Sequence, residues 1–152
     1  MSEEERFAEK QAKFHGSAKI HFRHLVFHQP NSQISADLNL DPKNVQRLTQ
    51  IFRLEGCLRL DLEHHVPAII SDDILAQSLY QSGVRSEDLR RRGSPPTLDL
   101  PEGFGVLCLH GKHRIAAAKN VLLPGNKWWT VDLYSNSLSA LKVILGLTEA
   151  NF

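Results

Sequence analysis

Polar and apolar side chains alternate along Lys19-Ile20-His21-Phe22-Arg23 and lead into Leu25-Val26-Phe27. That is the pattern of a strand with one buried face, and Pro30-Asn31-Ser32 ends it. Asp41 and Pro42 then suit the cap and first position of a helix. Val45, Leu48, Ile51 and Phe52 recur at helical spacing as its buried stripe, and Gly56 stops it. Val66-Pro67-Ala68-Ile69-Ile70 is short, branched and apolar, a strand in which Pro67 predicts an edge or a start. Ser71, Asp72 and Asp73 cap a second helix carrying Ile74, Leu75 and Leu79 and ending at Gly83. Residues 90–96 are basic and turn-rich, an excursion loop. Residues 104–109 are apolar throughout, as a central strand covered on both faces would be. After the turn at His110-Gly111, residues 112–120 favour a helix, which Pro124-Gly125-Asn126 breaks. In the strand over 128–134, Trp129, Val131 and Leu133 share one face and Trp128, Thr130 and Asp132 the other. A last helix begins after Ser137 and carries Leu138, Leu141, Ile144 and Leu145. Strands interleaved with helices, without repeats, predict an α+β domain: a small mixed β-sheet flanked by helices.

Composition narrows the class. At 152 residues, with 41% apolar and 23% charged side chains, the chain has room for one cored domain. We place that domain over 17–152, after a flexible segment over 1–16. No apolar run is long enough for a membrane span, and the acidic start lacks the pattern of a signal peptide. We therefore expect an intracellular protein, nuclear or cytoplasmic, without membrane contact. Cys57 and Cys108 then stay reduced. A net charge of +1 predicts no strong attraction of the whole molecule to nucleic acid. Charge is uneven, however: Lys10, Lys13, Lys19 and Arg23 meet no acid until Asp37.

The chemistry concentrates in residues 107–117, where an apolar strand, Gly111, then Lys112, His113 and Arg114 open a helix of small residues. A helix start presents unpaired N–H groups and positive potential, which favour an anion. Gly111 lets the backbone come close, Arg114 offers a fork, Lys112 a point charge and His113 a donor, a set suited to phosphate. The plainer reading is a tight turn with solvated cations.

These residues, Leu109-His110-Gly111-Lys112-His113-Arg114-Ile115-Ala116-Ala117, resemble the Gly-x-x-Arg box of the ParB and sulfiredoxin superfamily. Residues 40–48 and 66–70 are similar to that superfamily's preceding helix and strand. Gly56-Cys57-Leu58-Arg59-Leu60, His65 to Ser71, Leu109 to Arg114 and Trp128 to Tyr134 together resemble the first part of a fungal ParB-like domain of unknown function, over roughly residues 17–147. Members of that family are often cargo of large transposons. The resemblance implies a ParB/sulfiredoxin-like fold and a site for nucleotide phosphates of the CTP or ATP class, with Mg²⁺ as the accompanying ion. It also implies further phosphate or ribose contacts from the helix bearing Asn44 and Arg47. Departures set limits. Sulfiredoxin needs a cysteine after the glycine, where Lys112 stands, so sulfinic acid reduction is excluded. Cys108 reads as a buried structural thiol. ParB proteins pair two arginines after a glutamate, and here only Arg114 is kept.

If the site turns over, hydrolysis or phosphoryl transfer would use His113 for the proton and Arg114 for charge, with Glu55 and Glu102 as candidate bases or metal ligands. The eight histidines lack the spacing of a metal site. Trp128 offers a stacking platform for a base. Arg90, Arg91 and Arg92 offer a contact to a nucleic-acid backbone such as DNA, with a solvated loop as the plainer reading. The rival to nucleotide binding is an inactive protein- or DNA-interaction module on the same fold. A metal-dependent nuclease is a third reading.

Overall fold

In the computed structural model, residues 2–5, 8, 13–27 and 40–136 are described. Eight elements order them: β1 (Phe14–His21), β2 (Leu25–Val26), α1 (Pro42–Glu55), β3 (Val66–Ile70), α2 (Asp72–Ser82), β4 (Val106–Cys108), α3 (Lys112–Lys119) and β5 (Trp128–Ser135). The five strands form one mixed sheet in the order β1-β5-β3-β4-β2. The α+β class expected from the pattern is what the chain adopts. The helix expected after Ser137 lies outside the described residues.

Helix α1 starts and stops as its ends dictate. The Asp41 carboxylate accepts the N–H of Lys43, and Gly56, at φ 85°, donates its own N–H to the carbonyl of Phe52. In α2, Ser71 caps the start and Gly83 turns left-handed at the end. Along β5 the alternation holds, with Trp129, Val131 and Leu133 fully buried. They pair across to Ile20, Ala18 and Gly16 of β1, so one face of the sheet is apolar. Phe52 of α1 covers it, its ring 6.0 Å from that of Trp129, and Ile115, Ala117 and Ala118 of α3 join the same core.

Two expectations need correction. The continuous strand over 19–27 is two strands separated by a 3-10 turn at Phe22–His24. β1 and β2 lie on opposite edges of the sheet. Four links between His21 and Leu25 reach about 15 Å at most, whereas four strand spacings in a flat sheet span about 19 Å. The sheet is therefore curled, so that its two edges approach each other at this corner. His24 holds the corner, buried, with Nδ1 2.9 Å from the carbonyl of Phe104 and Nε2 accepting from Arg23 Nε. The apolar run over 104–109 gives only the three residues of β4, beside the edge strand β2 rather than at the centre. The carbonyl of Phe104 is taken by His24, and Gly105 lies so close to the corner that a Cβ on it would meet the carbonyl oxygen of His24 at 2.7 Å. Pro67, expected at an edge or a strand start, is the second residue of the inner strand β3 and so lies at its start. Its carbonyl accepts from Leu109 N–H, just past the end of β4.

The excursion loop is pinned as it returns. Lys19 and Thr97 form a bridge at the edge of β1, and Leu98 and Leu100 are buried in the core. Toward the start of the chain, β1 reaches back to Phe14, within the segment expected to precede the domain.

Candidate functional site

Gly111 starts α3 in a left-handed conformation, φ 99° and ψ 11°. A Cβ there would lie 2.8 Å from Val66 Cγ2, so the turn and its packing on β3 both require glycine. Glycine has no side chain to cap the helix, and the first-turn N–H groups have no partners within α3. Helix α1 runs beside α3 in the same sense. The two are tied at the start by Asp41 N–H donating to His113 Nε2, 2.9 Å, and further along by Asn120 Nδ2 donating to Thr49 Oγ1, 3.3 Å. Both helix starts, with their positive potential, therefore lie at one end.

Between them is a cleft of about 520 Å³. Its walls bring together every residue named above for the phosphate box and its supporting helix: Asn44 and Arg47 from α1, and Gly111, Lys112, His113 and Arg114 from α3, with Phe27, Leu48 and residues 108–110 completing the lining. Arg47 Nη2 donates to Asn44 Oδ1 at 2.7 Å, which leaves the Asn44 amide N–H₂ and other Arg47 donors as candidate contacts. Among the described residues, Asp and Glu are absent from these walls. Glu55 and Glu102 are exposed elsewhere, so neither serves this cleft as a base or metal ligand.

Two box residues are committed more deeply than their sequence position shows. Arg114 donates through Nη1 to the carbonyl of His64 at 3.1 Å, an oxygen that also accepts Trp129 Nε1–H at 2.8 Å. Burial pulls its pKa below the ordinary arginine value; the guanidinium stays charged, but its fork is partly spent on the fold. His113 accepts a backbone N–H, so its Nε2 is unprotonated there. Cys108 also lines the cleft, but burial pushes its thiol up to about 12, an unreactive state.

The other candidates fall outside the cleft. Arg90 bonds the carbonyls of Phe14 and His15 at the edge of β1, and Arg91 pairs with Asp88 at 3.0 Å. These two arginines fasten the loop, and Arg92 is exposed. The Trp128 ring is already covered: the Arg59 guanidinium lies 3.5 Å from its centroid and Lys19 Nζ 4.9 Å. Among the described residues no group of three His, Cys, Asp or Glu side chains converges as a metal site would require.

One polar cluster escaped the sequence reading. Asp132 Oδ1 accepts from Ser17 Oγ at 2.6 Å and lies 2.8 Å from His65 Nδ1, while His65 Nε2 lies 3.3 Å from the carbonyl of Leu60. Facing acceptors on both sides, His65 is best satisfied as the imidazolium. Its pKa is raised, first by the bond to Asp132. Only the outward position of Asp132 on β5 signalled it in the sequence.

The family model for the N-terminal domain of a protein of unknown function (DUF3723) matches residues 13–148. No curated protein matches the chain. No helix among the described residues is long and apolar enough to cross a membrane.

Proposed function

Because the chain belongs to the DUF3723 N-terminal domain family, whose description assigns no activity, we propose from its cleft that it binds a nucleotide of the CTP or ATP class through the phosphates. One observation carries the reading: the start of α3 and the side chains of Asn44, Arg47 and Lys112 line a single cleft. The start of α3, whose glycine cap brings no side chain, supplies oriented N–H groups and positive potential. Lys112 is a point charge at the mouth, and Arg47 and Asn44 are the polar contacts on the facing helix. A cleft of about 520 Å³ is within the range that small-ligand pockets occupy. With acidic groups absent from the described residues of the lining, Mg²⁺ would be held by the nucleotide's own phosphates, where it would neutralise their charge.

The reading is of binding rather than turnover. His113 and Arg114, the residues best suited to chemistry, are each bonded to the backbone of a neighbouring element. The ParB/sulfiredoxin-like relationship, and with it a role near mobile-element DNA, rests on the sequence resemblance and is proposed alongside. Intracellular placement follows from the same reading.

Thermal unfolding tests it, using the wild type and the Arg47→Ala/Lys112→Ala pair with millimolar CTP, ATP or GTP and Mg²⁺. A ligand at 100 times its Kd adds about 2.7 kcal/mol, which for a domain of this size is a rise of several degrees in Tm. We expect that rise with one nucleotide and its loss in the double variant, whose Tm without ligand stays close to wild type. No rise with any nucleotide in a cooperatively unfolding wild type sinks the reading and moves the weight to an interaction module.

A further inference from the structure

The start of α1 is completed by a residue of another helix. In a self-contained capping box, the side chain three residues after the cap turns back to take the cap's own N–H. Here that position is Asn44, and its carbonyl oxygen is given to Arg47. Pro42 has no N–H, and the Asp41 carboxylate takes the N–H of Lys43 at 3.1 Å. The N–H of Asp41 itself goes to His113 Nε2 at 2.9 Å, 72 residues later in the chain. A ring nitrogen that accepts a backbone N–H carries no proton, so Nε2 is bare and the neutral ring holds its proton on Nδ1.

We propose that His113 is a positioning residue: a proton-controlled clasp that closes the start of α1 onto the start of α3 and so holds Arg47 and Asn44 opposite Lys112. Its effect on ligand rests on the nucleotide reading above, while the clasp itself does not. Protonation turns Nε2 from acceptor to donor, facing a donor. The bond is lost, and the first turn of α1 is freed from the cleft. Asp41 meets the ring, and among the described residues the charged and titratable groups that line the cleft with it are Arg47 on α1, Lys112 and Arg114 on α3, and His110 in the turn before it. His110 is the other imidazole among the described residues of this cleft, so His110→Asn serves as the background for every measurement. The sign separates this role from a direct contact. A histidine that simply donated to phosphate would bind more tightly in acid as it gained charge, whereas a clasp binds more weakly.

The test compares His113 with His113→Gln, whose side-chain oxygen can accept at a similar reach and does not titrate. Ring nitrogen shifts in ¹⁵N-labelled protein at pH 7.5 should show Nε2 unprotonated. The amide of Asp41 should be protected from hydrogen exchange at pH 7.5 and lose that protection at pH 5.5 in the parent, but keep it in His113→Gln. Calorimetry with CTP and with ATP at both pH values should show parent affinity falling relative to His113→Gln by up to about tenfold per pH unit below the ring pKa, the limit for one proton. Titration of the nucleotide's own phosphates is common to both proteins and divides out of the ratio. A protonated Nε2 at pH 7.5, protection of Asp41 that ignores pH, or parent binding that tightens in acid relative to His113→Gln overturns the clasp. If neither nucleotide binds while Asp41 behaves as expected, the nucleotide reading falls and the clasp stands.

Discussion

At Gly111 the backbone turns with φ 99°, and an added Cβ would meet Val66 Cγ2 at 2.8 Å. Two costs therefore attach to Gly111→Ala: about 1–2 kcal/mol for a side chain in left-handed backbone and about 1–3 kcal/mol for overpacking against a fully buried valine. Urea unfolding should show a loss of about 2–5 kcal/mol. Adding Val66→Ala should relieve part of the steric share relative to the sum of the two single changes, and strictly additive losses would show that Val66 is not what the Cβ strikes. The residue types in the box were legible in the sequence because glycine and cations at a helix start have a local cause. What His113 and Arg114 touch was not legible, since Asp41 and His64 come to them only through the packing of distant segments.

Between elements, the Ser17–Asp132–His65 cluster links β1, β5 and the entry to β3. The unfolded imidazole titrates near 6.5 and the folded one higher, held up chiefly by the bond to Asp132. A raised folded pKa means the stabilisation is complete below pH 6.5 and is lost as pH rises through the folded value. Unfolding free energy measured from pH 6 to 9 should therefore decline through this contribution in the wild type, and the decline should flatten in Asp132→Asn, which removes the charge. Identical slopes in the two proteins would count against a charged His65. Most elements were readable one at a time. Both ends of α1, both ends of α2, the bounds of β3 and the buried face of β5 follow from caps, glycines and periodicity within each segment. The break at Phe22–His24 was not readable, because its cause is a carbonyl 80 residues away. Likewise β4 is shorter than its apolar run because Phe104 and Gly105 serve the corner. That Asn44 and Arg47 face the box came from family resemblance, since periodicity marks them only as the polar side of a helix.

For the molecule as a whole, the corner is where the curled sheet brings its two edges toward each other, and His24 is its fastening. His24→Leu keeps the bulk but leaves the carbonyl of Phe104 without its partner in a buried place. A stranded buried polar group costs about 1–3 kcal/mol, so the urea midpoint should fall by that equivalent with an unchanged m-value. A midpoint like that of the wild type would mean that the corner closes without the bond. The order of the sheet also has a consequence for how the protein is made. β1 is the first of the strands to leave the ribosome and β5 the last, yet they lie side by side, with His21 opposite Trp128 and Phe14 opposite Tyr134. Apart from the single bridge at Thr97, β1 must wait for roughly 100 further residues, about 5–20 s at usual rates of synthesis. Through that interval the growing chain carries an unpaired strand whose alternate side chains are apolar, and the last strand synthesised is the one that shields it.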